Sequence, residues 1–189
     1  MKKEFKATQD YIITSKGTGL LLEVAGGSKE DGAAVQLWQA TEAKEQVWRL
    51  KQTKEGTYQI LSKASGKCLD VMASGTEDGT WVHQWEFVEG ANQLWEIEKV
   101  EEGVYKIKNA GKCLDIIGMS TENGARLQLW TDVDGDNQQW SIAPAPKKTI
   151  VRKSVKKVAE EKPAEKKAPA KKPAAKKAAA PKKTAKKAE

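Results

Sequence analysis

Asp115, Gln128, Trp130, Asn137 and Gln138 fall within 24 residues of one another and bring together one acid, one indole and three amides. That set suits reversible recognition of a polyhydroxylated ligand with an apolar side. A carboxylate accepts from two adjacent hydroxyls, and charged acceptors make the stronger bonds. An amide both donates and accepts, as a hydroxyl does. An indole gives a flat apolar plane for a patch of C–H bonds. The chain carries two more sets of the same kind. Asp70, His83, Trp85, Asn92 and Gln93 make one, and Glu23, Gln36, Trp38, Glu45 and Gln46 make the other.

The three sets align without a gap. Glu23, Asp70 and Asp115 each stand fifteen residues before Trp38, Trp85 and Trp130, and those stand ten before Trp48, Trp95 and Trp140. Gly32, Gly79 and Gly124 fall at matching turns. The period is 47 and then 45 residues, with the two-residue difference in the turn before Cys113. A period this long marks a repeat architecture. It is close to that of a propeller blade, but a propeller needs at least four blades to close. Three copies point instead to one threefold barrel.

Each copy also ends in Gln-x-Trp, at Gln46-Val47-Trp48, Gln93-Leu94-Trp95 and Gln138-Gln139-Trp140. An L-[DE]-[VI] step and a [QH]-x-W step precede each ending in phase. With these motifs the stretch from Lys6 to Ala143 resembles the ricin-B-type lectin family. The resemblance implies an all-β fold, a β-trefoil, that binds galactose, xylose or related sugars without catalysis. By the same resemblance Asp115 and Asn137 grip vicinal hydroxyls, Trp130 stacks on the sugar, Gln128 adds a contact and Gln138 orients the site. The second set carries over as Asp70, His83, Trp85, Asn92 and Gln93, with a histidine for the glutamine. The first set departs most, with Glu23 for the aspartate and Glu45 for the asparagine beside Gln36, Trp38 and Gln46. The expected ranking is therefore repeat 3, then 2, then 1. A plainer alternative stays open here: Asp70 and Asp115 cap turns and the outer tryptophans only pack.

The elements that must hold these residues read as about twelve short strands, four per repeat. In repeat 1 (about 6–50) they are Tyr11–Ile13, Leu20–Val24, Ala34–Trp38 and Gln46–Leu50. In repeat 2 (51–97) they are Thr57–Leu61, Lys67–Met72, Thr80–Trp85 and Gln93–Ile97. In repeat 3 (98–143) they are Val104–Lys108, Lys112–Ile117, Arg126–Trp130 and Gln138–Ile142. Val35 and Leu37 alternate with Gln36 and Trp38, so one pair enters the core while the other faces out. Trp48, Trp95 and Trp140 belong to the core, each with its Gln bonded to backbone in the neighbouring turn. Gln84 takes the inward slot of Leu37 and Leu129, where an amide needs partners or costs about 1–3 kcal/mol. Trp81 is expected to reshape that strand. Met1 to Lys6 reads as a basic lead.

Charge divides the chain in two. All six prolines lie at or after Pro144, and every aromatic residue lies before it. Residues 144–189 hold 16 Lys and one Arg against four Glu, so the overall +7 combines a tail of +13 with a body of −6. The spacing of Val151, Val155 and Val158 allows a short amphipathic helix, marginal alone in water. Beyond Pro163 the tail is almost all Lys, Ala and Pro, a composition expected to stay disordered. It resembles linker-histone tails, which implies nucleic acid or another polyanion as partner through counterion release. The alternatives are a solubilising linker, or a strap onto anionic wall polymer or lipid.

Cys68 and Cys113 occupy equivalent positions, which threefold symmetry holds apart, so no bond is expected between them. Relatives in the resembled family pair this cysteine with one two residues past the pocket tryptophan, and here those places hold Ala40, Phe87 and Asp132. Small packing roles are expected for both thiols. The start of the chain has basic residues but no apolar stretch behind them. With unpaired thiols this predicts a reducing, cytoplasmic setting. No run reaches the ~20 apolar residues of a membrane span. No metal, cofactor or enzymatic activity is expected: Asp70 and Asp115 belong to separate pockets and cannot face one another as an acid–base pair. A monomer is expected. The competing function class is a nucleic-acid-associated protein whose barrel contacts protein.

Overall fold

The computed structural model describes residues 4–146. Twelve strands alternate with six short 3₁₀ turns. The strands are β1 (Asp10–Ser15), β2 (Leu21–Val24), β3 (Val35–Trp38), β4 (Trp48–Gln52), β5 (Tyr58–Ser62), β6 (Cys68–Val71), β7 (Val82–Trp85), β8 (Glu96–Glu101), β9 (Val104–Asn109), β10 (Lys112–Ile116), β11 (Leu127–Trp130) and β12 (Trp140–Pro144). The tail reading and the Val151–Val158 helix lie outside the described residues. Among the described residues no helix is long and apolar enough to cross a membrane.

Six strands close a barrel. β1 pairs with β4 and β12, β4 with β5, and β9 with β8 and β12, while a bridge between Tyr58 and Trp95 joins β5 to the start of β8. The other six form three hairpins, β2–β3, β6–β7 and β10–β11, which cap one end. The fold is a β-trefoil. Trp48, Trp95 and Trp140 are fully buried, and each indole N–H donates to a main-chain oxygen, of Leu22, Leu69 and Leu114 respectively. An unpaired indole N–H in the core would carry a desolvation cost.

The other end is closed by aromatic rings. Tyr11, Tyr58 and Tyr105 are threefold equivalents, and Phe5 sits among them with ring centroids 5.4, 5.6 and 5.2 Å away in edge-on geometry. The basic lead therefore contributes a core residue, since Phe5 is buried. Edge-on pairs of this kind are worth about 0.5–1.5 kcal/mol each beyond area burial.

Hairpins join head to tail around the axis. Residues 31–34 run against β7, 78–81 against β11 and 123–126 against β3, through the main-chain bonds of Gly32, Gly79 and Gly124 to Gln84, Leu129 and Leu37. At each junction one side chain caps the next repeat. Asp31 accepts from the Glu86 N–H at 2.7 Å, Asp78 from that of Thr131 at 2.7 Å, and Asn123 from that of Gln39 at 2.8 Å. The two aspartates also bind Lys67 and Lys112, which hold both carboxyls below the usual carboxylate range. The third junction has Asn123, and Leu20 replaces the lysine.

Gln84 finds its partners. Its amide donates to the main-chain oxygens of Ser28 and Glu30, both at 2.9 Å, and accepts from Ser65 Oγ at 2.7 Å. Trp81 does not reshape its strand: β6–β7 keeps the register of the other two hairpins. Gln46, Gln93 and Gln138 lie in 3₁₀ turns (Lys44–Gln46, Ala91–Gln93 and Asp136–Gln138) and not in strands as expected. A strand would turn every second side chain away. The tighter turn presents two consecutive residues, 45–46, 92–93 and 137–138, to the same hairpin.

Candidate carbohydrate-binding pockets

Each pocket starts from one cross-strand pair. Asp115 lies opposite Gln128 on β10–β11, Asp70 opposite His83 on β6–β7, and Glu23 opposite Gln36 on β2–β3. Residues paired this way share a face of the sheet. Trp130, two residues from Gln128, is on that same face, as are Trp85 and Trp38 in their repeats. The sequence-predicted residues of each set therefore come together.

In repeat 3 the carboxylate of Asp115 is held by three amides. Gln128 Nε2 donates to Oδ1 at 2.9 Å, while Asn137 Nδ2 and Gln138 Nε2 donate to Oδ2 at 2.6 and 3.1 Å. An ionised carboxylate has about four acceptor sites, so a place on Oδ1 remains. Asp115 is only 3% exposed, and burial pushes its carboxyl above the ordinary range, against the pull of the three amides. Gln138 also donates to the Thr131 carbonyl at 2.9 Å and accepts from the Val133 N–H at 2.9 Å. One glutamine thus ties the acid to the loop under Trp130, which is 39% exposed.

Repeat 2 is built alike. Asp70 receives His83 Nε2 at 2.8 Å on Oδ1, and Asn92 at 2.9 Å and Gln93 at 2.8 Å on Oδ2. Facing a carboxylate oxygen, which accepts, the Nε2 of His83 takes the part of donor. The imidazole stacks on Trp85 with ring centroids 5.5 Å apart. Asp70, His83, Trp85, Asn92 and Gly32 line a concavity of about 540 Å³, within the range of small-molecule sites. Trp85 is 41% exposed. This concavity belongs to repeat 2.

Repeat 1 keeps two of the three donors. Glu23 receives Gln36 and Gln46, both at 2.9 Å. Glu45 brings no donor to it. Sequence reading missed why. Gly90 and Gly135 precede the 3₁₀ turns of repeats 2 and 3, and a Cβ at either would collide with the Oδ1 of Asn92 or Asn137. The equivalent in repeat 1 is Ala43, which leaves no room for that asparagine conformation. Glu45 instead lies 3.6 Å from where a Cβ on Gly27 would stand. The signal was present in the alignment, as Gly, Gly and Ala at one position five residues before the last tryptophan.

Both thiols are buried and unpaired, and burial pushes them up, to about 12 for Cys68 and about 11 for Cys113. At the place of a relative's second cysteine, Asp132 binds Lys106 at 2.7 Å and Lys108 at 3.1 Å. Lys106 also reaches Asp134 at 2.6 Å, so an ion cluster braces this loop. Among the described residues no three His, Cys, Asp or Glu side chains gather as a metal site.

A family model for the Ricin-type beta-trefoil lectin domain matches residues 9–140. No curated protein matches by sequence. Among solved structures, a designed 3-fold symmetric protein, ThreeFoil, is 34% identical with TM-score 0.70, over 71% of this chain and 97% of that one. The exo-beta-1,3-galactanase 1,3Gal43A from Clostridium thermocellum is 32% identical with TM-score 0.71, over 75% of this chain, which spans only 31% of that enzyme. A ricin B-like lectin from Macrolepiota procera, solved with lactose, shares the fold at 23% identity and TM-score 0.64, over 75% of this chain and 99% of that one. With three phased repeats, three buried Gln-x-Trp tryptophans and this match, the chain belongs to the ricin-type β-trefoil lectin family.

Proposed function

We propose that this chain is a non-enzymatic sugar-binding module whose repeat-2 and repeat-3 pockets each take a galactose- or xylose-type residue. One observation carries this reading: in both repeats a buried carboxylate is held by three donors beside a part-exposed indole. Such an acid is pre-oriented, so a sugar hydroxyl meets a fixed acceptor and little ordering cost remains. The asparagine amide sits next to it for the neighbouring hydroxyl, and the indole takes the C–H face. The match within an exo-beta-1,3-galactanase supports galactose over xylose. Open pockets of this kind bind weakly, at roughly millimolar Kd. Two on one rigid barrel gain about 10²–10⁴ on a polymeric glycan. A glycan array on the full chain tests this, with Trp130→Ala and Trp85→Ala singly and together. Signal on galactosides or xylosides that the double variant loses is expected; a silent array sinks the reading.

The charge of residues 144–189 supports a second activity, a sequence-blind grip on polyanions such as nucleic acid. Retention on DNA that falls steeply between about 50 and 200 mM salt, and vanishes without these residues, is the expected outcome. Retention by the truncated chain would rule it out.

A further inference from the structure

The residue that ends each junction differs among the three pockets. The strand bridges there join Ala34 to His83, Trp81 to Gln128 and Arg126 to Gln36. Repeat 3 thus has a second indole beside its pocket amide. Trp81 is 49% exposed, and the guanidinium carbon of Arg126 lies 5.0 Å from its ring centroid. Arg126 and Gln128 are two residues apart on one face of the same hairpin arm. Gln128, Trp81 and Arg126 are therefore neighbours, and Gln128 holds Asp115.

The arginine is unsatisfied. Among the described residues none of the ion pairs includes Arg126, and its Nε is buried without an acceptor. Arg49, by contrast, is paired with Asp10. Stacking on an indole fixes a guanidinium in one orientation and lowers the entropy lost when it binds an acceptor. A planar fork with free donors fits a carboxylate in two-point fashion.

We infer that Trp81 and Arg126 form a subsite for a carboxylate-bearing sugar, of the hexuronate type, adjoining the residue held at Asp115 and Trp130. This rests on the reading of repeat 3 as a sugar pocket. The ring of the second sugar lies against Trp81, and its carboxylate takes the Arg126 guanidinium. Repeat 2 has Ala34 at this place and offers neither group. Arg126 also borders Gln36 of repeat 1, but only repeat 3 has an indole, Trp81, opposite its pocket amide, so the indole and the guanidinium come together at one pocket of the three.

The test is a titration of the full chain with two matched disaccharides, galactose joined to galactose and galactose joined to galacturonate. The indole N–H signals of Trp81 and Trp130 report binding by NMR, at about 0.15 M salt. Wild type is expected to bind the acidic disaccharide about fivefold more tightly. Arg126→Gln closes that gap, Arg126→Lys keeps part of it, and Trp81→Ala reduces it. Residues 144–189 carry the same charge in every variant, so differences between variants report the subsite. Equal affinity for both disaccharides in wild type, or a gap that persists in Arg126→Gln, overturns the inference while leaving the repeat-3 pocket standing. Binding of both that ignores Trp130→Ala removes the pocket itself and the subsite with it.

Discussion

Repeat 1 and repeats 2 and 3 share a hairpin, a register and a Gln-x-Trp, yet only repeats 2 and 3 give the acid a third side-chain donor. Asp70 and Asp115 each receive three side-chain donors, whereas Glu23 receives two. The missing donor is not a single substitution. Ala43 replaces the glycine that gives the asparagine room, Glu45 replaces the asparagine, and Gly27 stands where repeats 2 and 3 have Ser74 and Met119. Ser74 and Met119 keep the left-handed conformation of Gly27, with φ of 53° and 54°. A Cβ at Gly27 would stand 3.6 Å from the Glu45 carboxyl, in ordinary contact with it. The comparison teaches that the pocket changes as a unit: turn, donor and facing loop move together.

The largest effect that separates the two kinds of pocket comes from removing the acid. Asp70→Ala and Asp115→Ala together are expected to lower affinity for a galactoside more than about thirtyfold, the loss of charge-assisted bonds. Glu23→Ala is expected to leave it within twofold. Calorimetric titration of the two variants checks this, and a matching loss in Glu23→Ala would erase the distinction between repeats. Next comes Gly135→Ala. Its φ of −79° suits alanine, so only the collision with Asn137 is introduced. Repeat-3 affinity should drop about tenfold, the worth of one hydrogen bond to a charged group, with the unfolding midpoint little changed. An unaffected Trp130 indole titration would show that Asn137 does not need the glycine. In the reverse direction, Glu23→Asp, Ala43→Gly and Glu45→Asn combined should raise avidity for a multivalent galactoside severalfold by adding a third site. Surface retention kinetics would show it as slower release.

Much of this was legible in the sequence because a threefold repeat states its pattern three times. The buried tryptophans followed from Gln-x-Trp, the strands from alternation, and the acid–amide–indole sets from the phase of the alignment. Residues that act through space were harder to read. Phe5 belongs to no repeat, so periodicity could not mark it as the ring packed among Tyr11, Tyr58 and Tyr105. The junctions hid the Trp81–Arg126 pair, because its members are 45 residues apart and meet only when repeat 2 lies against repeat 3. Gln84 read as an oddity until the Ser28–Glu30 loop supplied its acceptors. The glycine that admits Asn137 was visible as a letter, but its role depends on a 3₁₀ turn that strand periodicity cannot show.

Acid titration gives the smallest and most local contrast, between the pocket of repeat 3 and the junction aspartates. Burial raises the Asp115 carboxyl from its ordinary value of 3.8, whereas hydrogen bonds and charge from Lys67 and Lys112 lower Asp31 and Asp78. The signs are opposite. For Asp115 the folded chain holds the proton more tightly than the unfolded one, so its contribution to stability declines as pH rises from the unfolded value to the folded one. For Asp31 and Asp78 the contribution is present above the unfolded value and is lost as pH falls through the folded one. On acidification Asp115 therefore takes up its proton first, while both junctions are still ionised. A protonated Asp115 keeps fewer acceptor sites for its three amides and a sugar hydroxyl. Affinity at repeat 3 should weaken a few-fold before pH reaches about 4, where an ordinary aspartate is still half ionised, with the junction amides of Glu86 and Thr131 unchanged. An NMR pH titration of the Trp130 indole with and without galactoside measures it. Affinity that stays level from neutral pH to below about 4 would mean that Asp115 is not the acceptor the sugar uses.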